Sequence, residues 1–375
     1  MEPSAPVRIA LAATGDPLAA DTWSGIPAGL ARALRGYGAA VSGVDATPPP
    51  GVRQAALALS AARRRSRVDA GYTPGLFRLR SLTARRRLGA PDAVVLMGAE
   101  FGLPPGTRYA TLSDLTLVQA RETHPVFSRL SPSVFEAFDR RQRDVYAEAV
   151  ACCTASHWTA ESLVADYGLP VEKVHVVGLG PNHDPAAVAD PERARGSAPR
   201  YLFVGREWDR KHGPLLLRAF ARLRSERPDA SLDLVGGHPP VQAEGVTGHG
   251  LLRLDRPDDA ARVRALFAAA TCFVMVSEVE PFGLVYTEAA AAGVPSIATS
   301  VGGAATIVAE GTGLLVPPGD EAALLGALRT LADPAVARRM GAAARERSAL
   351  FAWEKVGARV LRALGLPGGD GAEFL

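Results

Sequence analysis

Short apolar runs, often β-branched, alternate along this chain with longer segments whose apolar positions recur at helical spacing. A strand covered on both faces reads as an unbroken apolar run, whereas a surface helix shows its apolar side every three or four positions. In the first half the short runs are VRIALAA (7–13), AAVSGVD (39–45), DAVVLMG (92–98), TRYATLS (107–113), AVACCTAS (149–156) and KVHVVG (173–178). In the second half they are YLFVG (201–205), SLDLVGG (231–237), LLRL (251–254), TCFVMVS (271–277), PSIATS (295–300) and GLLVP (313–317). Strands that alternate with helices in this way build parallel sheets with crossover connections, so each half is expected to be a doubly wound α/β unit.

Between the halves, residues 178–200 are rich in Pro, Gly and charge, which is the composition of a linker. The expected organisation is a first unit over residues 1–180, a linker over 181–199 and a second unit over 200–352. A final helical segment, 353–375, is free to pack on either unit, the first included.

Composition narrows the function classes. With 375 residues, 47% hydrophobic and 22% charged, the chain can bury two full cores. Lys and Arg total 42 against 39 acids, a net of +3, so nothing in the overall charge calls for nucleic acid as a partner. The three cysteines, Cys152, Cys153 and Cys272, have neither metal-ligand spacing nor a disulfide framework, and the seven histidines are scattered. A reducing, cytoplasmic setting is the expectation. Residues 1–17 read as a first strand and its turn rather than as a signal peptide, and no apolar stretch reaches the ~18 residues of a membrane span. The wealth of Ala, Arg, Gly and Pro looks like the coding bias of a GC-rich, bacterial genome.

The second half carries the chemistry. Ligands of doubly wound sheets bind at the carboxyl ends of strands, where helix N-termini point outward. Arg206 and Lys211 fall between the strand YLFVG and the helix that follows it, placed to meet an anion such as a pyrophosphate. The plainer alternative has them as solvated cations paired with Glu207 and Asp209. No GxGxxG or GxxxxGK[ST] pattern accompanies them, which disfavours a nicotinamide or flavin dinucleotide and a P-loop. After TCFVMVS the same arrangement recurs: Glu280 stands in the loop, Pro281 can open a helix, Gly283 permits close backbone approach, and Glu288 lies one turn deeper. An acid among Ala289–Ala292, Gly293 and Val294 does not look like part of a solvated face, so Glu288 needs a partner or a role. The competing reading makes Glu280 a loop charge and Glu288 a surface acid near the positive end of the helix.

EPFGLVYTEAAAAGVP (280–295) resembles the paired-glutamate segment of the retaining nucleotide-sugar glycosyltransferases of family 4, the glycosyl transferases group 1. VGREWDRKHGPLLLRAF (204–220) is similar to the diphosphate-binding segment of that family, and further echoes are SHWTAESLVADYGLPVEKVHVVGLGPN (156–182) and SVGGAATIVAEGTGLLVPPGD (300–320). The resemblance implies the GT-B fold, two Rossmann-like doubly wound domains facing across a cleft. It assigns Arg206 and Lys211 to the donor diphosphate, Glu280 to hydroxyls of the donor sugar, and the backbone of Phe282, Gly283 and Leu284 to sugar and phosphates. Glu288 would hold the nucleotide ribose, and the base would lie near Arg253 and Leu254. Two departures stand out: His212 follows Lys211 where many members have glycine, and Ala304 and Ala305 follow Gly302–Gly303 where an acid is common.

The resemblance puts the acceptor on the first unit. Ser24 and Gly25 precede a helix there, and Ser24 is equally suited to capping it. Ser113 and Asp114 follow the strand TRYATLS at a place where members commonly have His-Asp; Asp114 is the candidate for orienting the acceptor, or else a structural acid. The basic runs 62–67 and 83–87 read as solvated helix faces, with an acidic acceptor or peripheral contact with an anionic membrane as alternatives. No Asp-x-Asp occurs in the chain, so the expected chemistry needs no metal and no cofactor beyond the co-substrate. The expected activity is transfer of a sugar, a hexose, from a UDP- or GDP-sugar to an acceptor hydroxyl with retention, Arg206, Lys211, Glu280 and Asp114 carrying it. The acceptor stays open among small molecule, glycan and lipid. The alternatives are a phosphorylase or synthase of the same fold and a non-catalytic sugar-nucleotide binder.

Overall fold

The computed structural model describes residues 5–64, 66–182 and 198–375. The chain divides into two compact units, one formed by Met1–Leu179 together with Trp353–Leu375 and the other by Gly180–Ala352. Most of the segment 181–199, read as a linker, lies outside the described residues, as do the side chains of Arg63, Arg64, Arg65 and Arg67 in the first basic run.

The first unit is built on a parallel six-stranded sheet in the order β2-β1-β3-β4-β5-β6. Its strands are β1 (Arg8–Ala13), β2 (Ala40–Asp45), β3 (Ala93–Met97), β4 (Tyr109–Ser113), β5 (Ala151–Thr154) and β6 (Val174–Val176). β3, β4 and β5 are buried along their whole length, which is why their sequences are continuous apolar runs. Phe77, Phe101, Phe138 and Tyr146 belong to the apolar core beside this sheet.

The second unit has its own parallel six-stranded sheet in the order β12-β11-β10-β7-β8-β9. The strands are β7 (Arg200–Gly205), β8 (Ser231–Gly236), β9 (Val246–Gly248), β10 (Cys272–Met275), β11 (Ser296–Thr299) and β12 (Gly313–Val316). Chain order runs outward from β7 to β9 on one side and from β10 to β12 on the other. The reversal therefore falls between β7 and β10, the strands whose following loops carry Arg206, Lys211 and Glu280. In the first sheet it falls between β1 and β3.

The structure corrects one expected strand. LLRL (251–254) is not extended in the sheet; the edge strand is Val246–Gly248, and Leu251 and Leu254 are 58% and 46% exposed. Four residues with no covered face bury too little apolar surface to hold a strand, so a short apolar run alone misled. The second basic run ends the helix Pro74–Arg87, where Arg85, Arg86 and Arg87 are exposed and complement the negative end of the helix dipole. Arg87 also donates from Nη1 to the Asp45 carbonyl at 2.8 Å. Among the described residues no helix is long and apolar enough to cross a membrane.

The last helix, Trp353–Ala363, belongs to the first unit, and its attachment has a clear cause. Trp353 lies against Gly29 of the helix Ile26–Gly36 so closely that a Cβ at Gly29 would collide with the indole. Arg359, buried in the same helix, donates from Nη1 to the Val177 carbonyl at 3.0 Å and from Nε to the Glu373 carbonyl at 2.7 Å. Trp353→Ala opens this contact and is expected to lower the unfolding free energy of the first unit by about 3 kcal/mol, read by denaturant titration, whereas a loss below about 1 kcal/mol contradicts the packing described.

Candidate functional site

The loop after β7 folds around a buried indole. Trp208 packs edge-on against Phe203 with ring centroids 5.3 Å apart, and its carbonyl accepts from the Gly213 N–H at 2.9 Å. Lys211 N–H donates to the Glu207 carbonyl at 2.9 Å, and His212 closes the loop in the left-handed region with φ of 54°. That conformation costs a non-glycine residue roughly 1–2 kcal/mol, which is the physical reason a glycine suits this place. Here the His212 ring gives something back, since Nδ1 lies 2.8 Å from the Val276 carbonyl and ties this loop to the end of β10. The helix Gly213–Glu226 starts directly after it.

Arg206 and Lys211 end up in different settings. Arg206 is exposed at the end of β7. Lys211 folds inward, with Nζ 2.8 Å from the Met275 sulfur and 3.7 Å from Glu280 Oε2. Of the acids offered as partners for these two cations in the plainer reading, Glu207 is engaged by Arg210. Arg210 donates from Nε to Glu207 Oε2 at 2.8 Å.

Glu280 is only 8% exposed and is held by its backbone as much as by its charge. It forms an isolated parallel bridge with Gly302, and the Gly303 N–H donates to its carbonyl at 2.8 Å. Gly302 has φ of +94°, and a Cβ there would collide with the Glu280 carbonyl, so the glycine pair is the seat on which this loop rests. The carboxylate accepts from Ser277 Oγ at 3.1 Å through Oε2, the same oxygen that faces Lys211 and, at 3.9 Å, Arg210 Nη1. Oε1 makes no hydrogen bond among the described residues.

The helix that follows is Leu284–Ala291, capped by Gly283 in the left-handed region, so Pro281 stands in the loop before the helix rather than opening it. A Cβ on Gly283 would meet the Tyr286 ring and come within 3.0 Å of Glu280 Cγ. Tyr286 is buried and its hydroxyl donates to the Met275 carbonyl, anchoring the first turn to β10. Phe282 is buried edge-on against Phe351.

Glu288 is the fifth residue of this helix and is 5% exposed. Its Oε1 accepts from the Asn182 N–H at 3.3 Å. Burial pushes its pKa up to about 7, against the opposing pull of the Asn182 hydrogen bond and the Lys211 charge. Thus the expected pair of acids does stand at one helix, one held among cations and the other buried a turn deeper.

Arg253 is held by neighbouring acids. It pairs with Asp255 at 2.7 Å, and its N–H donates to Asp259, at the start of the helix Pro257–Ala269; Leu254 is exposed beside it. In the first unit, Ser24 does not cap the helix Ile26–Gly36, because Gly25 in the left-handed region occupies the cap and no side chain bonds there. Trp23 and Ser24 also have positive φ, 49° and 54°, a strained turn whose indole lies over Gly98 at the end of β3. Ser113 is buried with its hydroxyl 3.3 Å from that of Tyr146, and Asp114 follows it with its carbonyl accepting from Thr159 Oγ1. Sequence reasoning missed Trp208, Arg210 and Ser277. Only Arg210 left a signal, a third cation beside Lys211. Among the described residues no group of three or more His, Cys, Asp or Glu side chains could hold a metal ion.

The unfolded carboxyl of Glu288 loses its proton near its ordinary value, whereas the folded one keeps it to about 7, so its contribution to stability is fully present below that ordinary value and is lost as pH rises through about 7. Glu288→Gln removes this slope. Its stability relative to the natural chain is expected to rise by on the order of 3 kcal/mol between pH 4.5 and 7.5 in denaturant titrations, and parallel pH curves contradict the buried acid.

Residues 198–333 match the family described as Glycosyl transferases group 1. The chain is 39% identical over 222 residues to the D-inositol 3-phosphate glycosyltransferase of Streptomyces avermitilis, covering 52% of this chain and 47% of that protein. It is 36% identical over 172 residues to a glycogen synthase of Mycobacterium tuberculosis, covering 44% and 42%. The chain spans about half the length of the curated relatives it matches. Among solved structures, a sucrose-phosphate synthase from Thermosynechococcus elongatus superposes with a TM-score of 0.67 at 23% identity, over 95% of this chain and 98% of that one. A glycosyltransferase from Rickettsia africae superposes with a TM-score of 0.63 at 16% identity, over 96% and 99%. The chain therefore has the two-domain α/β fold of GT-B glycosyltransferase structures, and its second unit carries the match to glycosyl transferases group 1.

Proposed function

We propose that the protein is a retaining glycosyltransferase of family 4 that moves a sugar from a nucleoside-diphosphate sugar, UDP- or GDP-linked, to an acceptor hydroxyl. The observation that carries this reading is the meeting, where strand order reverses between β7 and β10, of exposed Arg206, inward Lys211, the N-terminus of the helix Leu284–Ala291 and two buried glutamates. Reversal points of this kind hold nucleotides, and the site offers positive potential for a diphosphate beside acceptors for hydroxyls.

Each group then has a task. Arg206, Lys211 and the N–H groups of Gly283 and Leu284 would meet the diphosphate and stabilise the negative charge it gains as it leaves. Glu280 Oε1, which makes no hydrogen bond among the described residues, would accept from hydroxyls of the donor sugar. Glu288 would accept from the ribose, hydrogen bonds that favour its ionised form. The leaving phosphate oxygen would take the acceptor proton on the same face as departure, so no separate strong base is required, and no metal is assigned because the cations already neutralise the diphosphate. Acceptor contacts are assigned to the carboxyl edge of the first sheet, with Ser24, Gly25 and Asp114 as candidates. The cytoplasm is the proposed setting. The acceptor itself is a hydroxyl compound of open identity, and the names of the relatives include a phosphorylated inositol and a phosphorylated sugar.

Thermal stabilisation and slow hydrolysis across UDP, GDP, ADP and dTDP sugars test the donor. One nucleotide is expected to stabilise the chain, Arg206→Ala to weaken that binding about tenfold, and Glu280→Ala to lower turnover by about 100-fold or more. Binding of none of them, or both variants behaving like the natural chain, rules out this donor site.

A further inference from the structure

Three cations stand within six residues after β7, and only two have been given work. Arg210 differs from exposed Arg206 in that its guanidinium is already committed to protein. Nε and Nη2 donate to Glu207 Oε2, and Nη1 donates to the Val279 carbonyl at 3.0 Å and stands 3.9 Å from Glu280 Oε2. The backbone of the same residue adds a further tie, because its carbonyl accepts from the Glu278 N–H at 2.9 Å. Side chain and backbone of Arg210 therefore bracket Glu278, Val279 and Glu280, the stretch between the end of β10 and the glutamate assigned to the donor sugar.

That stretch has no regular structure to hold it. On one side it rests on Gly302 and Gly303; on the other it is held by Arg210 and, two residues before Glu278, by His212 on the Val276 carbonyl. We propose that Arg210 is a positioning residue: it fixes the Glu280 carboxylate against the diphosphate loop and contacts neither phosphate nor sugar. This inference rests on the donor-site reading above and gives the three cations separate roles, Arg206 to the ligand, Lys211 between ligand and Glu280, and Arg210 to the loop. Burial pulls the Arg210 guanidinium down, but the hydrogen bond to Glu207 and the charges of Glu280 and Glu207 outweigh it and leave its pKa raised, so it stays charged at any working pH. An ion pair to Glu207, itself half exposed, contributes little to overall stability. Its effect should appear in the geometry of the site, where a displacement of about 1 Å can cost about 100-fold in rate.

The test uses the full chain with UDP and UDP-glucose, and with GDP and GDP-mannose, measuring binding by calorimetry and slow hydrolysis of the sugar nucleotide. Arg210→Met keeps the apolar stem and removes every donor; Arg210→Lys restores one. Arg210→Met is expected to bind the nucleoside diphosphate within about threefold of the natural chain while kcat falls by about 30-fold or more, and Arg210→Lys to recover part of kcat. Arg206→Ala, in contrast, should weaken the nucleoside diphosphate itself. If Arg206→Ala leaves diphosphate binding intact, the donor site is misplaced. If Arg206→Ala weakens it but Arg210→Met turns over normally, or weakens the diphosphate as much as Arg206→Ala does, the positioning role is wrong. Should Arg210→Met not fold, the Arg210→Lys and Glu207→Gln variants carry the test, each expected to lower kcat at least threefold with diphosphate affinity kept; unchanged kcat in both overturns it.

Discussion

One carboxylate oxygen organises the carboxyl edge of the second sheet. Glu280 Oε2 lies 3.1 Å from Ser277 Oγ, 3.7 Å from Lys211 Nζ and 3.9 Å from Arg210 Nη1, and the residue is almost wholly buried. A buried acid costs several kcal/mol unless it is paired and hydrogen-bonded, so these groups must be brought together from two different loops. The requirement reaches outward. The loop after β7 must curl back over β10, which it does around Trp208 and through the left-handed His212, and the loop after β10 must sit flat on Gly302 and Gly303.

Strand order explains why these loops are neighbours. β7 and β10 lie side by side although two strands and the helices Gly213–Glu226 and Pro257–Ala269 separate them in the chain, and they are the pair at which the direction of winding reverses. Adjacent crossover helices leave such a junction on opposite faces, so the two following loops part and leave room between them for a ligand. Glu288 extends the same logic one turn deeper. Its burial keeps the carboxyl protonated to about 7 in the free protein, and hydroxyl donors from a ribose are the kind of partner that would favour the charged form.

Much of this was legible in the sequence, for physical reasons that differ between elements. The buried strands β3, β10 and β11 announce themselves as apolar runs because both faces are covered. LLRL failed because a run of three leucines and an arginine satisfies the same pattern while lying outside the sheet with Leu251 and Leu254 exposed. Glu288 could be picked out because an acid inside an alanine helix is unusual, and Glu280, Arg206 and Lys211 because they fall between a strand end and a helix start. Arg210 could not be separated from them, since the choice between ligand and loop depends on where Glu207 and the Val279 carbonyl fall in space. Ser24 shows the reverse: its residue type suits a cap, but the backbone is left-handed through Trp23, Ser24 and Gly25, and the cap falls to Gly25.

The claim on which all of this turns is that a nucleotide diphosphate sits at the β7/β10 edge. A crystal structure of the protein with its preferred nucleoside-diphosphate sugar measures that directly. The diphosphate is expected within hydrogen-bonding distance of the Arg206 side chain and the Gly283 and Leu284 N–H groups, with the sugar on Glu280 and the ribose on Glu288. A nucleotide bound at any other edge, with these groups left to solvent, would contradict it.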